Sequence, residues 1–289
     1  MRVIVLLLML APFFTAQAAD APSAPLQWKA LHYRLSLLFV SAEADVYWRQ
    51  LSVDELKHDL VKPDDLTPIA NGNEAYEISI RTDNLGRRSD TKLWYRPDLQ
   101  VLQMTRHDSG KQHRQKVYRY LPDGFWSFQR SPKDDAEIAD ESRWSEQSTK
   151  VVHKPAALKQ VPVIEDSMLF QMVSVLPLRK KGDSYEYYSY INDAVFRNRL
   201  EVVGLRDVEV DYVEKFPDHD KWREGERELL LIRVTSTAMD AKNQDDFEIM
   251  GLKGNLSLYI DPKTGVLVQL SGHVDYLGRV NITLYKVEF

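Results

Sequence analysis

Seven histidines are spread along the 289 residues, and two short segments place them where metal or proton chemistry would start. His107 and His113 flank a turn around Gly110, so a hairpin would bring their rings together with Asp108 as a third donor. The surrounding stretch from Arg106 to Lys116 is strongly basic, which disfavours a bound dication. Asp218-His219-Asp220 sets an imidazole between two carboxylates, a pattern suited to a metal or a proton carrier, but it follows Pro217 and reads as a solvated loop tip. The acidic run from Asp240 to Glu248 fails as a calcium loop, since Lys242 stands at the third position and the sixth lacks the glycine of the sharp turn. Cysteine is absent, which removes thiolate ligands, disulfides and a cysteine nucleophile. No G-x-S-x-G elbow, H-E-x-x-H pair or phosphate-binding loop occurs. The residues therefore offer no catalytic set, no metal site and no cofactor site, and the chain reads as a non-enzyme.

Aromatic residues are the second chemical resource. Trp94, Tyr95, Tyr118, Tyr120, Phe125, Trp126 and Phe128 crowd one region, and Tyr185, Tyr187, Tyr188 and Tyr190 another. Core packing explains such clusters, because aromatics favour strands and bury large areas. The sharper alternative is a cavity: a curved sheet with a helix across its mouth encloses an apolar space whose rim hydroxyls orient a lipid or other amphiphile. On that alternative the candidate lining and rim residues are Tyr76, Ile78, Trp94, Tyr118, Trp126, Tyr188, Tyr190, Leu258, Ile260 and Ile282.

Two-residue alternation dominates the segments that must position these side chains. Tyr76, Ile78 and Ile80 alternate with Glu77, Ser79 and Arg81, and further strand patterns cover Thr91 to Tyr95, Leu99 to Arg106, Gln115 to Leu121 and Gly124 to Gln129. The turn residues between them are closely spaced, which favours antiparallel hairpins over crossover helices. Ser131 to Lys150 is charged and poor in apolar residues, so it reads as an exposed connection and as the place where a β-rich domain over residues 20–289 could divide into two halves, 27–150 and 151–289. Later strand patterns cover Ser184 to Asn192, Leu200 to Val203, Val208 to Val213 and Leu229 to Ser236. The end of the chain adds a hairpin turning at Asp261-Pro262-Lys263-Thr264-Gly265 and a last strand to Leu284. Helical spacing is confined to Val53–Val61 and to Asp166–Leu178, where Met168, Leu169, Met172, Val173 and Leu176 make an apolar stripe. The expected fold is mainly β: a curved antiparallel sheet or open β-barrel with one or two short helices.

Asp166-Ser167-Met168-Leu169, Pro177-Leu178-Arg179, Gly182-Asp183, Val202-Val203-Gly204 and the hairpin from Leu256 to Asp261, with Leu277-Gly278-Arg279-Val280, resemble a family of exported bacterial proteins of unknown function. The resemblance covers roughly the last 125 residues and implies a lipocalin-like or open β-barrel, related in shape to periplasmic carriers that shelter lipoprotein acyl chains. It carries no catalytic residues. The charged stretch from Ser131 to Lys150 departs from the compact members.

The first residues set the expected compartment. Arg2, the apolar run from Val3 to Phe14 and the small residues Ala16, Ala18 and Ala19 form the three parts of a cleavable signal peptide over residues 1–19. Periplasmic localisation follows as the expectation. Tyr285, Val287 and Phe289 resemble the aromatic ending of outer-membrane barrels, yet Ile282 and Leu284 make the opposite row apolar as well, against a lipid-facing strand. A net charge of −5 with both signs interspersed leaves no footprint for nucleic acid. The functional expectation is a periplasmic binding or chaperone-like module that holds a hydrophobic ligand or an envelope partner and is not an integral membrane protein. The alternative is a structural or interaction component of an envelope assembly without a ligand pocket.

Overall fold

The computed structural model describes residues 26–37, 40–61, 74–84, 86–121, 123–154, 158, 163–191, 194–239, 247–275 and 277–289. The segment read from sequence as a signal peptide and most of the acidic run from Asp240 lie outside the described residues. Eight strands follow one another through the first part: β1 Ala30–Leu37, β2 Val40–Leu51, β3 Ala75–Asn84, β4 Arg87–Tyr95, β5 Val101–Gly110, β6 Arg114–Leu121, β7 Gly124–Ser131 and β8 Glu146–His153. Each pairs antiparallel with the next. The remaining strands are β9 Val163–Ile164, β10 Ser184–Ile191, β11 Ala194–Lys215, β12 Asp220–Ala238, β13 Glu248–Ile249, β14 Leu252–Ile260, β15 Leu267–Val274 and β16 Gly278–Glu288. Three short helices accompany them: α1 Val53–Asp59, α2 Asp135–Ile138 and α3 Leu169–Val175.

All strands belong to one curved sheet in which two meanders meet at β1 and β16. The sheet is mixed: β9–β10 and β11–β16 are parallel, the other pairings antiparallel. At the seam, Leu31 faces Val287 but Tyr33 faces Leu284, so a bulge passes over Tyr285. That bulge explains why both rows of the last strand are apolar. Val287 and Leu284 reach the same core although they differ in parity, while Tyr285 stays beside His32 and Arg34 on the other side.

Register carries one buried row across each meander, because directly paired residues share a face. Leu31, Val46 and Ile80 continue into Thr91, Arg106 and Lys116, so the row is apolar at the seam and polar three strands away. On the other meander Val202, Ile232, Leu258, Leu270 and Ile282 form an unbroken buried row. Burial of each such side chain contributes about 1.5–3 kcal/mol. The outer half of the long β11–β12 hairpin folds over the reverse face of β14–β16 and closes a local ring by pairing Val213 with Lys286. Gln269 and Ser271 are buried on that face, linked through the Ser271 hydroxyl to Asn281.

The helices have local causes. At α1, Ser52 and Glu55 form a reciprocal capping box, and buried Gln103 closes the other end by donating to the Asp59 carbonyl and accepting from Val61 N–H. The segment expected as an exposed connection differs. Residues 146–153 form β8 against β7, and Trp144 is 2% exposed. The charges misled because an edge strand exposes most of its side chains and keeps only its backbone ladder.

Candidate functional site

The curvature of the sheet leaves a cavity of about 670 Å³ between the inner face of β1–β6 and the β13–β16 end of the second meander. Leu35, Ala44, Ile80, Met104, Ile249 and Leu252 supply its apolar wall, with Phe170 from α3. Strand alternation points these side chains inward, and α3 is held by its own clamp. Ser174 accepts from Trp28 Nε1 at 3.0 Å and donates to the Gly265 carbonyl at 2.8 Å. Gly265 has φ +71° and lies so close to Ser174 that an added Cβ would sit 2.9 Å from the Ser174 carbonyl oxygen. The turn glycine expected from sequence thus also seats the helix.

Polar groups gather in two places on the wall. Glu165, Asp166 and Ser167 precede α3 and face Tyr118, Tyr120 and Tyr190. Burial, then the charge of Glu165, pushes the Asp166 carboxyl well above its ordinary range. Glu165 accepts from the Ser167 N–H at 2.8 Å and from the Ser167 hydroxyl. Burial, followed by these two acids, also raises the Tyr120 hydroxyl, keeping it a neutral donor. The second gathering lies nearer the mouth, where Arg87, Arg106 and Lys116 line the cavity. Behind them, fully buried Asp108 accepts from Arg106 Nε at 2.9 Å and from Arg114 Nη2 at 2.6 Å, with Arg87 Nη2 3.6 Å away. Burial alone would raise the Asp108 carboxyl, but the Arg114 hydrogen bond and the Arg106 charge outweigh it and lower it to about 2.

The structure brings Tyr118, Tyr190 and Ile282 together on the cavity wall. The two aromatic regions of the sequence meet here, with Phe125 stacked on Tyr190 at 4.0 Å and Tyr118 edge-on to Tyr190 at 6.0 Å. Ile78, Leu258 and Ile260 fill the core, and Tyr76 packs at its margin between Trp48 and Tyr95. Tyr188 packs against the cluster around Phe125. Trp94 and Trp126 stand on the reverse face, in the paired row Glu77, Trp94, Gln103, Arg119 and Trp126. Trp94 there packs with Leu56 and Leu60 around α1.

The histidine pair serves packing. His107 pairs across the hairpin with Gln115, and the rings of His107 and His113 lie 5.8 and 6.4 Å from that of Trp144. His219 stacks on Phe216, which stacks in turn on Phe289, and its Nδ1 meets Asp218 at 2.8 Å. Among the described residues no three His, Cys, Asp or Glu side chains gather as metal ligands. Nor is any described helix long and apolar enough to cross a membrane.

The chain matches no family model, no curated protein and no solved structure. The site is therefore read from its own chemistry. Arg87, Arg106, Glu165, Asp166 and Phe170 were not among the lining residues expected from the sequence. The available signal was charge on an inward parity: Met104, Arg106 and Asp108 share one face of β5, and a buried face that turns charged marks a place where the sheet meets water or a ligand.

Proposed function

We propose that this protein is a non-enzymatic binding or chaperone-like module of the bacterial envelope, holding the apolar part of a lipid, another amphiphile or a partner's acyl chain in the cavity. The carrying observation is the about 670 Å³ space with an apolar wall and convergent polar groups, a size and lining common to small-molecule sites. The resemblance of the second half to exported proteins with open β-barrels supports the same reading, and the signal-peptide pattern supports a periplasmic setting.

Two measurements test it. Native mass spectrometry of freshly purified protein should find a bound lipid or amphiphile. Thr91→Trp places an indole at a half-buried wall position and should lower the affinity for a fluorescent fatty-acid probe by about tenfold or more while leaving the circular dichroism spectrum unchanged. Unaltered binding in that variant would refute the cavity as the site.

One observation favours the alternative of an interaction component. Trp222 on β12 is 70% exposed, and tryptophan is a frequent anchor of protein interfaces. Loss of a co-purifying envelope protein on Trp222→Ser, in a protein that binds no fatty-acid probe, would support that alternative.

A further inference from the structure

We infer, building on the cavity reading above, that the ligand carries an anionic head group, a carboxylate or a phosphate, bound at the mouth by Arg87 and Arg106. The geometry begins with an imbalance of charge. Arg87, Arg106 and Arg114 surround a single carboxylate, Asp108, within 4 Å. Three guanidinium groups on one buried acid leave two positive charges uncompensated within the cluster. The excess is not spread evenly. Arg114 commits Nε and Nη2 to Asp108, at 3.2 and 2.6 Å. Arg106 commits Nε, and Arg87 approaches only to 3.6 Å, beyond hydrogen-bond reach. Arg87 and Arg106 are also the two of the three that line the cavity, each with its side chain 40% exposed.

Their unspent N–H donors therefore stand at the polar margin of an apolar space, the arrangement that takes an acyl chain inward and its charged end at the lip. A planar guanidinium donates two parallel hydrogen bonds to a carboxylate or phosphate, and buried Asp108 behind the pair holds Arg106 by a hydrogen bond and attracts Arg87 by charge alone before a ligand arrives.

The acids on the wall do not supply an equivalent site for a cation. Asp275 is paired with Lys253 at 2.8 Å, and Glu43 and Asp83 are exposed at the lip on the opposite strand parity from Ala44 and Thr82. Glu165 already accepts from Ser167, and Asp166 beside it is pushed towards its neutral form by burial and by the charge of Glu165. Glu248 stands on β13 at the far wall, across from Lys253.

The test is calorimetric titration of the delipidated full chain with decanoate, decyl phosphate, decanol and decyltrimethylammonium. The two anions should bind at least about tenfold tighter than decanol and the cation, with the preference shrinking as salt is added. The ratio of decanoate to decyl phosphate then tells which anion the mouth prefers. Arg87→Gln should bring the anions to within about twofold of decanol and leave decanol unchanged; because Arg87 makes no hydrogen bond to Asp108, this variant keeps the fold. Arg106→Gln should do the same, with a matched melting curve as its control. Equal affinity for all four probes, or tightest binding of the cation, overturns the anionic head group and leaves the cavity reading in place. Binding of none of them overturns both.

Discussion

Asp108 is a surface-derived residue by sequence and a core residue by position: its side chain has no exposed area, yet three arginines converge on it. Its carboxyl is lowered from 3.8 to about 2 in the folded protein. The unfolded chain therefore takes up the proton first as pH falls, and about 2 kcal/mol of stability, present above pH 3.8, should be lost between 3.8 and about 2. Urea unfolding across that window should show the loss, and Asp108→Asn should remove it while costing about 3 to 5 kcal/mol near neutral pH. Asp166 runs the other way. Its raised carboxyl keeps a proton in the folded state that the unfolded chain gives up above pH 3.8, so its contribution weakens stability as pH rises from there towards its folded value. Infrared spectroscopy across an acid titration should find a carboxyl band that keeps its proton above pH 3.8 and disappears in Asp166→Asn. Neither behaviour was legible in the sequence, since Arg106 to Lys116 looks like a polar hairpin tip until Arg106 and Asp108 are seen to share the inward face with Met104.

At the scale of elements, alternation did most of the work. The strands around Ile78, Trp94, Tyr118 and Phe125 fall where period two places them, because each has one face in the core and one outside. Period and turn residues fail where a strand has no buried face. Residues 146–153 are exposed along almost their whole length, so they look like a connection although their backbone pairs with β7. Hairpin length was the other blind spot. The strand patterns stop at Val203 and at Val213 and resume at Leu229, yet β11 and β12 run through Gly204 and Gly225, Gly204 beside a bulge and Gly225 opposite Val210. For Gly265 the turn was foreseen and the helix contact was not. Gly265→Ala should cost about 1–3 kcal/mol, from the strained φ and from pushing α3 away through Ser174, read as a lower urea midpoint with unchanged slope. If the helix caps the cavity, the same variant should also weaken binding of the fatty-acid probe.

For the molecule as a whole, the curved, mainly β architecture was legible, but the pairing that joins its two meanders was not, because periodicity says which face a residue takes and nothing about its distant neighbour. His32 shows the difference: its ring meets Asp45 on the adjacent strand at 2.6 Å and Glu288, 256 positions along the chain, at 3.2 Å. One core cluster takes in residues from Trp28 to Val287. Differential scanning calorimetry should therefore give a single transition whose calorimetric and van't Hoff enthalpies agree; two resolved transitions would show that the meanders melt separately. The seam also orders events in time. A ribosome makes β16 long after β1 has emerged, so the strand at the sheet's midline stays half-bonded while most of the polypeptide is synthesised, and contacts of such long span close late. The link between the two meanders is thus among the last contacts to form.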